Sequence, residues 1–333
     1  MRRFVFAALL LLATAILLSR LTPVTEFLQV IRRGRLLWIG AAFIVQAAWQ
    51  FNQVAQFRAA HRAAGVEQSL RQMAPVVLAN NFTLVAAPSG SASTFALFLE
   101  NARQRNLSPA RVSLAVVQFS VFQFLATNIT LAAALTLLYQ RRALNAGETM
   151  AALIMFGVTA TMTALFMNGL GSVPRLEGLI APPMRLVNRL VRRELISETA
   201  VHRFLADAGG GIDSFRRQPP TVRLAPFAFA LGGEGLAMIL LGAIFLAFRQ
   251  PISPAAIVVG VSMSTLFSVV SPTPLGIGLA EGAVALVLTT LNIPIESAVV
   301  ISLTYRGFIV WLPMLIGFIA LQAVGLRTVA ART

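Results

Sequence analysis

Four apolar runs, Val112 to Tyr139, Met150 to about Leu170, Leu224 to Phe248 and Ala298 to Ala323, are long enough to cross a bilayer core of about 30 Å as helices. Such runs restrict the fold severely. Hydrocarbon offers no water to the peptide groups, so each spanning segment must satisfy its N–H and C=O groups internally, as a helix does. Three further runs, Phe4 to Leu18, Leu36 to about Phe57 and Pro254 to Val270, read as additional spans. Arg20 and Pro23 follow the first without a small-residue cleavage site, which favours an uncleaved span over a signal peptide. With 57% hydrophobic residues, 12% charged residues and a mean hydropathy of +0.78, too little polar surface remains for a soluble domain. The expectation is an all-α polytopic membrane helix bundle of about seven or eight hydrophobic segments, forming one integral membrane domain over residues 1–333.

One stretch breaks the pattern. Ser271 to Glu296, reading SPTPLGIGLAEGAVALVLTTLNIPIE, places Pro272, Pro274, Gly276, Gly278 and Gly282 around the carboxylate Glu281. Prolines lack a backbone donor and glycines tolerate unusual backbone angles, so a continuous helix is disfavoured and a broken or re-entrant segment is predicted. Irregular backbone at bilayer depth survives only where protein or a water-filled cavity surrounds it, so the stretch marks an internal cavity beside Glu281. A glycine-rich interfacial turn with Glu281 at its edge is the competing reading.

A second interrupted unit lies upstream. Met73 to Ala87 is too short to cross as one helix, ends at Pro88-Ser89-Gly90, and is followed by Ser93 to Arg105 and a segment opened by Pro109. At a constant offset of 185 residues, Phe82 pairs with Phe267, Val85 with Val270, Pro109 with Pro294, and Thr83 meets Ser268. Interrupted segments in corresponding positions of two halves point to a transporter binding site. The chain thus divides into a first half (1–170), a connector (171–223) and a second half (224–326), with the halves read as a degenerate internal repeat.

The connector, Gly171 to Arg223, is the only long hydrophilic stretch, with nine arginines and the flexible run Gly209-Gly210-Gly211. The bias of basic residues toward the cytoplasmic side predicts that it is cytoplasmic. Leu186, Leu190, Arg193, Leu195 and Phe204 suggest amphipathic helices lying on anionic lipid, and a plain solvated connector explains the same charges. The net charge of +15 comes wholly from arginine. These arginines cluster at the ends of apolar spans without a nucleic-acid motif or an aromatic stacking platform, so membrane lipid rather than nucleic acid is the expected partner. The absence of cysteine removes disulfides, thiolate metal sites and a cysteine nucleophile.

An ionisable residue inside the membrane is by default a functional-site candidate with a partner to be named. Glu281 and Arg306 form the expected pair, the guanidinium clamping a lipid phosphate while the carboxylate balances its charge or meets an ammonium. Snorkelling of Arg306 to the interface is the alternative. Glu234, about ten residues inside its span, is expected to face the bundle interior or water. Glu100 and Arg103 read as an exposed helical pair, and His61 as a loop residue. Gln46, Trp49, Gln50, Asn52, Gln53 and Gln56 spread around their helix, which places that half at the interface or within the bundle. His202 and Asp207 give an H-x4-D pattern used by some membrane acyltransferases, without the further blocks such enzymes need. No G-x-S-x-G, P-loop, G-x-G-x-x-G or HExxH pattern occurs, so neither an enzyme, a metal nor a cofactor is expected.

From Pro274 onward the second half resembles the lysylphosphatidylglycerol synthase transmembrane, or flippase-like, family. That family carries a P-G-G-x-G-x-x-E element, an apolar helix, an x-P-x-E-A turn and a Y-R-x-x-x-x-W-L-P span. Pro274, Gly276, Gly278, Glu281 and Gly282, then Pro294, Glu296 and Ala298, then Tyr305, Arg306, Trp311, Leu312 and Pro313 match these positions. ANNFTLVAAPSG, Ala79 to Gly90, stands where the family has its N-x-x-x-P-x-x-G-type motif. Leu275 replaces one of the paired glycines, Ala280 stands where a basic residue is common, and the first-half motif lacks the acid and arginine that often follow its glycine. The resemblance implies a bacterial inner-membrane protein that translocates or binds a phospholipid or lipid-linked head group, anionic or zwitterionic, between leaflets, without the family's aminoacyl-transfer domain. The substrate-contacting residues expected from it are Glu281, Arg306, Gly276, Gly278, Pro274, Tyr305 and Glu234. A membrane enzyme acting on a lipid, or a non-catalytic membrane subunit of a lipid or envelope biosynthetic complex with a protein partner, are the other readings.

Overall fold

The computed structural model describes residues 34–86, 91–171, 174–175, 177–178, 198–271 and 274–323. The span expected at Phe4 to Leu18 and the amphipathic segment around Leu186 to Leu195 lie outside the described residues, as does the side chain of Phe204. Among the described residues the fold is all-α. The helices are α1 (Leu36–Ala63), α2 (Leu70–Ala86), α3 (Ser91–Gln104), α4 (Pro109–Gln140), α5 (Ala146–Gly171), α6 (Glu198–Arg217), α7 (Pro220–Ala247), α8 (Pro254–Val270), α9 (Leu279–Thr290), α10 (Ile295–Arg306) and α11 (Leu312–Ala323). A π-helical turn, Gly307–Trp311, joins α10 to α11, so that one helical span runs Ile295–Gln322.

Among the described residues four segments, Pro109–Gln140, Ala146–Gly171, Pro220–Ala247 and Ile295–Gln322, are long and apolar enough to cross a membrane. Their outward faces support that reading. Met150, Leu153, Ile154, Leu165 and Met167 of α5 and Ile239 of α7 are exposed large apolar side chains, which suit acyl chains better than water. Polar punctuation sets the boundaries: Ser108 and Ser253 cap α4 and α8 by accepting hydrogen bonds from the backbone N–H groups of Arg111 and Ala256, with proline in the first turn of each.

The two interrupted segments are helical hairpins. At 17 residues α8 is about 26 Å long, too short to cross a full core with margin, and α9 is shorter still. The pair runs antiparallel: Gly260 of α8 faces Leu288 of α9, and Ser268 faces Gly276 at the tip. In the first half Asn80 accepts a hydrogen bond from Thr94 and the Thr83 carbonyl accepts one from Ser93, so α2 and α3 fold back in the same way.

The internal repeat extends beyond the few identities that suggest it. Displacing the bounds of α1, α2 and α3 by 185 residues gives 221–248, 255–271 and 276–289, close to those of α7, α8 and α9, and Pro109 falls on Pro294, which caps α10. Packing repeats as well: α2 lies against α11, and its counterpart α8 lies against α4, the counterpart of α10 and α11. The central contact is α1 against α7. Arg35 N–H donates to the Ala247 carbonyl, Trp49 lies near Gly233, and Asn52 donates to the Phe229 carbonyl, so these equivalent helices run antiparallel. The two units therefore run in opposite senses, a property that residue spacing alone leaves open.

Two local expectations need correction. His61 belongs to the last turn of α1, is 1% exposed, and its Nδ1 lies 2.8 Å from the Phe57 carbonyl oxygen, so it is a core residue rather than a loop residue. Gly209 to Gly211 are helical. A side chain at Gly210 or Gly211 would meet Arg111 at 3.0 to 3.1 Å, so these two serve close packing and not flexibility. Ile212 and Phe215 on the apolar face of α6 pack on the bundle beside Ala63, Phe122, Phe166 and Leu170. Arg216 donates to the carbonyls of Leu170 and Gly171, tying this connector helix to the C-terminal end of α5.

Candidate functional site: a polar cavity between the two hairpins

The second hairpin's tip is shaped by its backbone. Leu275, Gly276 and Gly278 all have positive φ, at 51°, 70° and 90°. A Cβ on Gly276 would lie 2.6 Å from Ser268 Cα and 2.8 Å from the Phe267 carbonyl oxygen, so only glycine allows the tip to sit this close to α8. Pro274 opens the turn, and its side chain lies outside the described residues. Three residues into α9, Glu281 accepts a hydrogen bond from the Gly278 N–H at 2.7 Å through Oε2, satisfying a donor that the helix start leaves free.

The other oxygen of Glu281 faces Arg306. Nε of Arg306 stands 3.1 Å from Glu281 Oε1, Nη1 donates to Ser268 Oγ at 2.8 Å, and Nη2 donates to the Leu275 carbonyl at 2.5 Å. Arg306 is 2% exposed, so it does not snorkel to the interface. It ties α8, the hairpin tip, α9 and α10 together at one point. A guanidinium carries five N–H donors, of which contacts among the described residues use three. Directly after Arg306 the helix widens into the π-turn, and Pro313, two residues beyond it, has no N–H to offer the Ile309 carbonyl four residues upstream; π-turns of this kind recur at functional sites.

Arg306 borders a cavity of about 380 Å³ together with Tyr305, Glu234, Ser268 and Leu275. The structure thus brings Tyr305 and Glu234, remote in sequence from the hairpin, to the same space. Glu281 stands behind Arg306, while Gly276 and Gly278 shape the turn that presents Leu275. The apolar side of the cavity is made where the hairpins approach each other: Leu275 and Ile277 pack on Val85, Val310 and Trp311.

The polar wall is the part that reasoning from motifs misses. Trp49, Asn52, Gln53 and Gln56 of α1, Asn81 of α2, Gln123 of α4, and Ser264 and Thr265 of α8 line the same cavity. The scatter of amides along the far half of α1 is the signal, and the structure places that half inside the bundle. Several of these atoms, Gln53 Oε1, Gln56 Nε2 and Ser264 Oγ, are buried without a partner among the described residues. Such groups are costly unless water or a ligand satisfies them. Glu234 is 7% exposed and accepts hydrogen bonds from Gln123 at 3.2 Å, Thr127 at 2.7 Å and Thr130 at 3.1 Å.

The remaining candidates lie elsewhere. Arg103 and Glu100 form a 3.8 Å pair with the arginine side chain 72% exposed, in keeping with a solvated helical pair. Asp207 is exposed and accepts a hydrogen bond from Ser108 at 3.3 Å, and the side chain of His202 lies outside the described residues. Among the described residues no cluster of three or more histidine or acidic side chains could hold a metal ion.

An all-α membrane bundle of two oppositely running units, with paired hairpins around a polar cavity, is the class of protein these observations define. The family model described as the lysylphosphatidylglycerol synthase TM region matches residues 4–317, and the chain belongs to that family. The match covers both halves. No curated protein and no solved structure matches the chain.

Proposed function

We propose that the protein translocates a phospholipid or a lipid-linked head group between leaflets of the bacterial inner membrane, with the head group in the cavity beside Arg306 and the acyl chains in the surrounding bilayer. The single observation that carries this reading is the buried guanidinium at the cavity wall of a membrane bundle, with three of its five donors engaged among the described residues. A phosphate is the group whose charge and geometry suit it. Oppositely running repeats, each with a broken hydrophobic segment, support a transport role, because transporters are built this way around a central binding site. Family membership supports lipid as the cargo. The unpartnered amides and hydroxyls supply further contacts for an anionic or zwitterionic head group.

In this reading the chain works as a transporter and not as an enzyme, and Arg306 and Glu281 act as a unit. The carboxylate holds the guanidinium in place against the hairpin tip, at the wall of the cavity that would take the head group. The test is exchange of fluorescent phosphatidylglycerol between leaflets of proteoliposomes. Wild-type protein should exchange it, and Arg306→Ala and Glu281→Ala should abolish exchange while still inserting and folding, with Arg306→Lys as a charge-keeping control. Unchanged exchange in both alanine variants would sink the proposal. Lipid turnover that vanishes in His202→Ala would favour an enzyme instead.

A further inference from the structure

The role of Glu234 is not explained by an anion site. Among the described residues it has no ion-pair partner, and all its hydrogen-bond partners are neutral. A buried carboxylate in a membrane bundle without a cation must either remain solvated by fixed donors or take up a proton.

The geometry serves both states. As a carboxylate, Glu234 accepts one hydrogen bond at Oε2 from the Thr130 hydroxyl and two at Oε1, from Thr127 and Gln123. Thr130 Oγ also lies 2.9 Å from the Thr127 carbonyl oxygen. When Oε2 carries a proton, it donates to Thr130 Oγ across the same 3.1 Å, and the Thr130 hydroxyl turns to donate to that carbonyl. The exchange requires one hydroxyl rotation and leaves no group in the network unpaired. The second acceptor, the usual back-bond of a helical threonine, is what lets that hydroxyl reverse without losing a partner.

The surroundings allow that charge to change. α1, α2, α4 and α8 contribute amides, hydroxyls, an indole and apolar groups to the cavity but no titratable side chain; α10 contributes Tyr305 and Arg306. Arg306 is held by Glu281, Ser268 and the Leu275 carbonyl. Position matters as well. Displacing Trp49 by 185 residues gives 234, so Glu234 occupies in the second unit the place Trp49 holds in the first, where α1 and α7 cross. In repeat-built transporters the centre between the halves is the location exposed to each side in turn.

We propose that Glu234, with Thr127 and Thr130, is a proton-binding site that couples lipid movement to the proton gradient. The proton enters from the cavity, resides on Oε2 and leaves to the cavity when it faces the other side. The coupling rests on the transport reading; the proton site does not. Infrared spectra of purified protein taken at two pH values test the site directly. The wild-type difference spectrum should contain a carboxylic-acid band that is missing in Glu234→Gln and shifted in Thr130→Val. Superimposable wild-type and Glu234→Gln spectra overturn the site.

Coupling is tested in phosphatidylglycerol-containing vesicles under an imposed gradient of one pH unit. With one proton per lipid, the gradient supports a leaflet asymmetry of labelled phosphatidylglycerol of up to about tenfold. The asymmetry should appear with wild-type protein and vanish in Glu234→Gln. Exchange that ignores the gradient, or asymmetry retained in Glu234→Gln, overturns the coupling. If wild-type protein exchanges no lipid at all, the coupling and the transport reading both fall, and the spectra alone still decide whether Glu234 binds a proton.

Discussion

Replacing Arg306 by methionine, a side chain of similar length without charge, removes the point at which α8, the hairpin tip, α9 and α10 meet. Glu281 would keep only the Gly278 N–H on one oxygen and lose its cation on the other, and the Leu275 carbonyl would lose its donor. Ser268 keeps its own hydrogen bond to the Ser264 carbonyl, so it is not orphaned. Breaking a buried ion pair by removing one partner costs about 3–5 kcal/mol, because the remaining charge is left uncompensated. With Arg306 at 2% and Glu281 at 13% side-chain exposure, solvent screening relieves little of that cost. Adding Glu281→Gln removes the stranded charge, so the double variant should recover about 1–3 kcal/mol relative to the sum of the single changes. Reversible unfolding in mixed detergent micelles, followed by helical circular dichroism, measures all three variants. Arg306→Met within about 1 kcal/mol of wild type, or strict additivity in the cycle, would refute a buried, coupled pair.

Other positions make independent predictions. Gly276→Ala combines a left-handed backbone with a Cβ inside contact distance of Ser268 and Phe267, so it should destabilise by about 2–5 kcal/mol and slow lipid exchange, measured by thermal unfolding alongside the exchange assay. Gly317→Val places side-chain atoms within 2.6 Å of the Leu78 carbonyl, so it should separate α11 from α2 and lower the melting temperature. Ile212→Asp puts a charge into the packed face of α6 and should release that helix, read out as new trypsin cleavage at Arg216 or Arg217 while the rest of the bundle stays folded.

The membrane class and the two broken segments were legible because prolines and glycines interrupt apolar sequence, and the hairpins at Val85 and Leu275 fall where those residues stand. Pairing of Glu281 with Arg306 was legible for a related reason: two ionisable groups in apolar surroundings have few alternatives to each other. The sense of the repeat was not, since it depends on how α1 and α7 cross and no residue pattern encodes that. The cavity's amide wall escaped motif reasoning because Gln53, Asn81 and Gln123 lie on three different helices and converge only on folding. His61 misled for a similar reason: a polar residue near a run of arginines resembles a loop, yet its ring packs near Phe98 and bonds its own helix. In the connector, the arginines masked an apolar stripe that finds its partner in α4 and α5.

Because the chain contains no cysteine, a single Gln53→Cys change offers one reactive thiol, at a half-buried position on the cavity wall. Leaflet exchange of phosphatidylglycerol, measured before and after that thiol is modified with a water-soluble, negatively charged reagent, asks directly whether the head group passes through this cavity. Passage predicts exchange that proceeds in the unmodified variant and stops once modification is complete. Exchange at full rate through a fully modified cavity would contradict it.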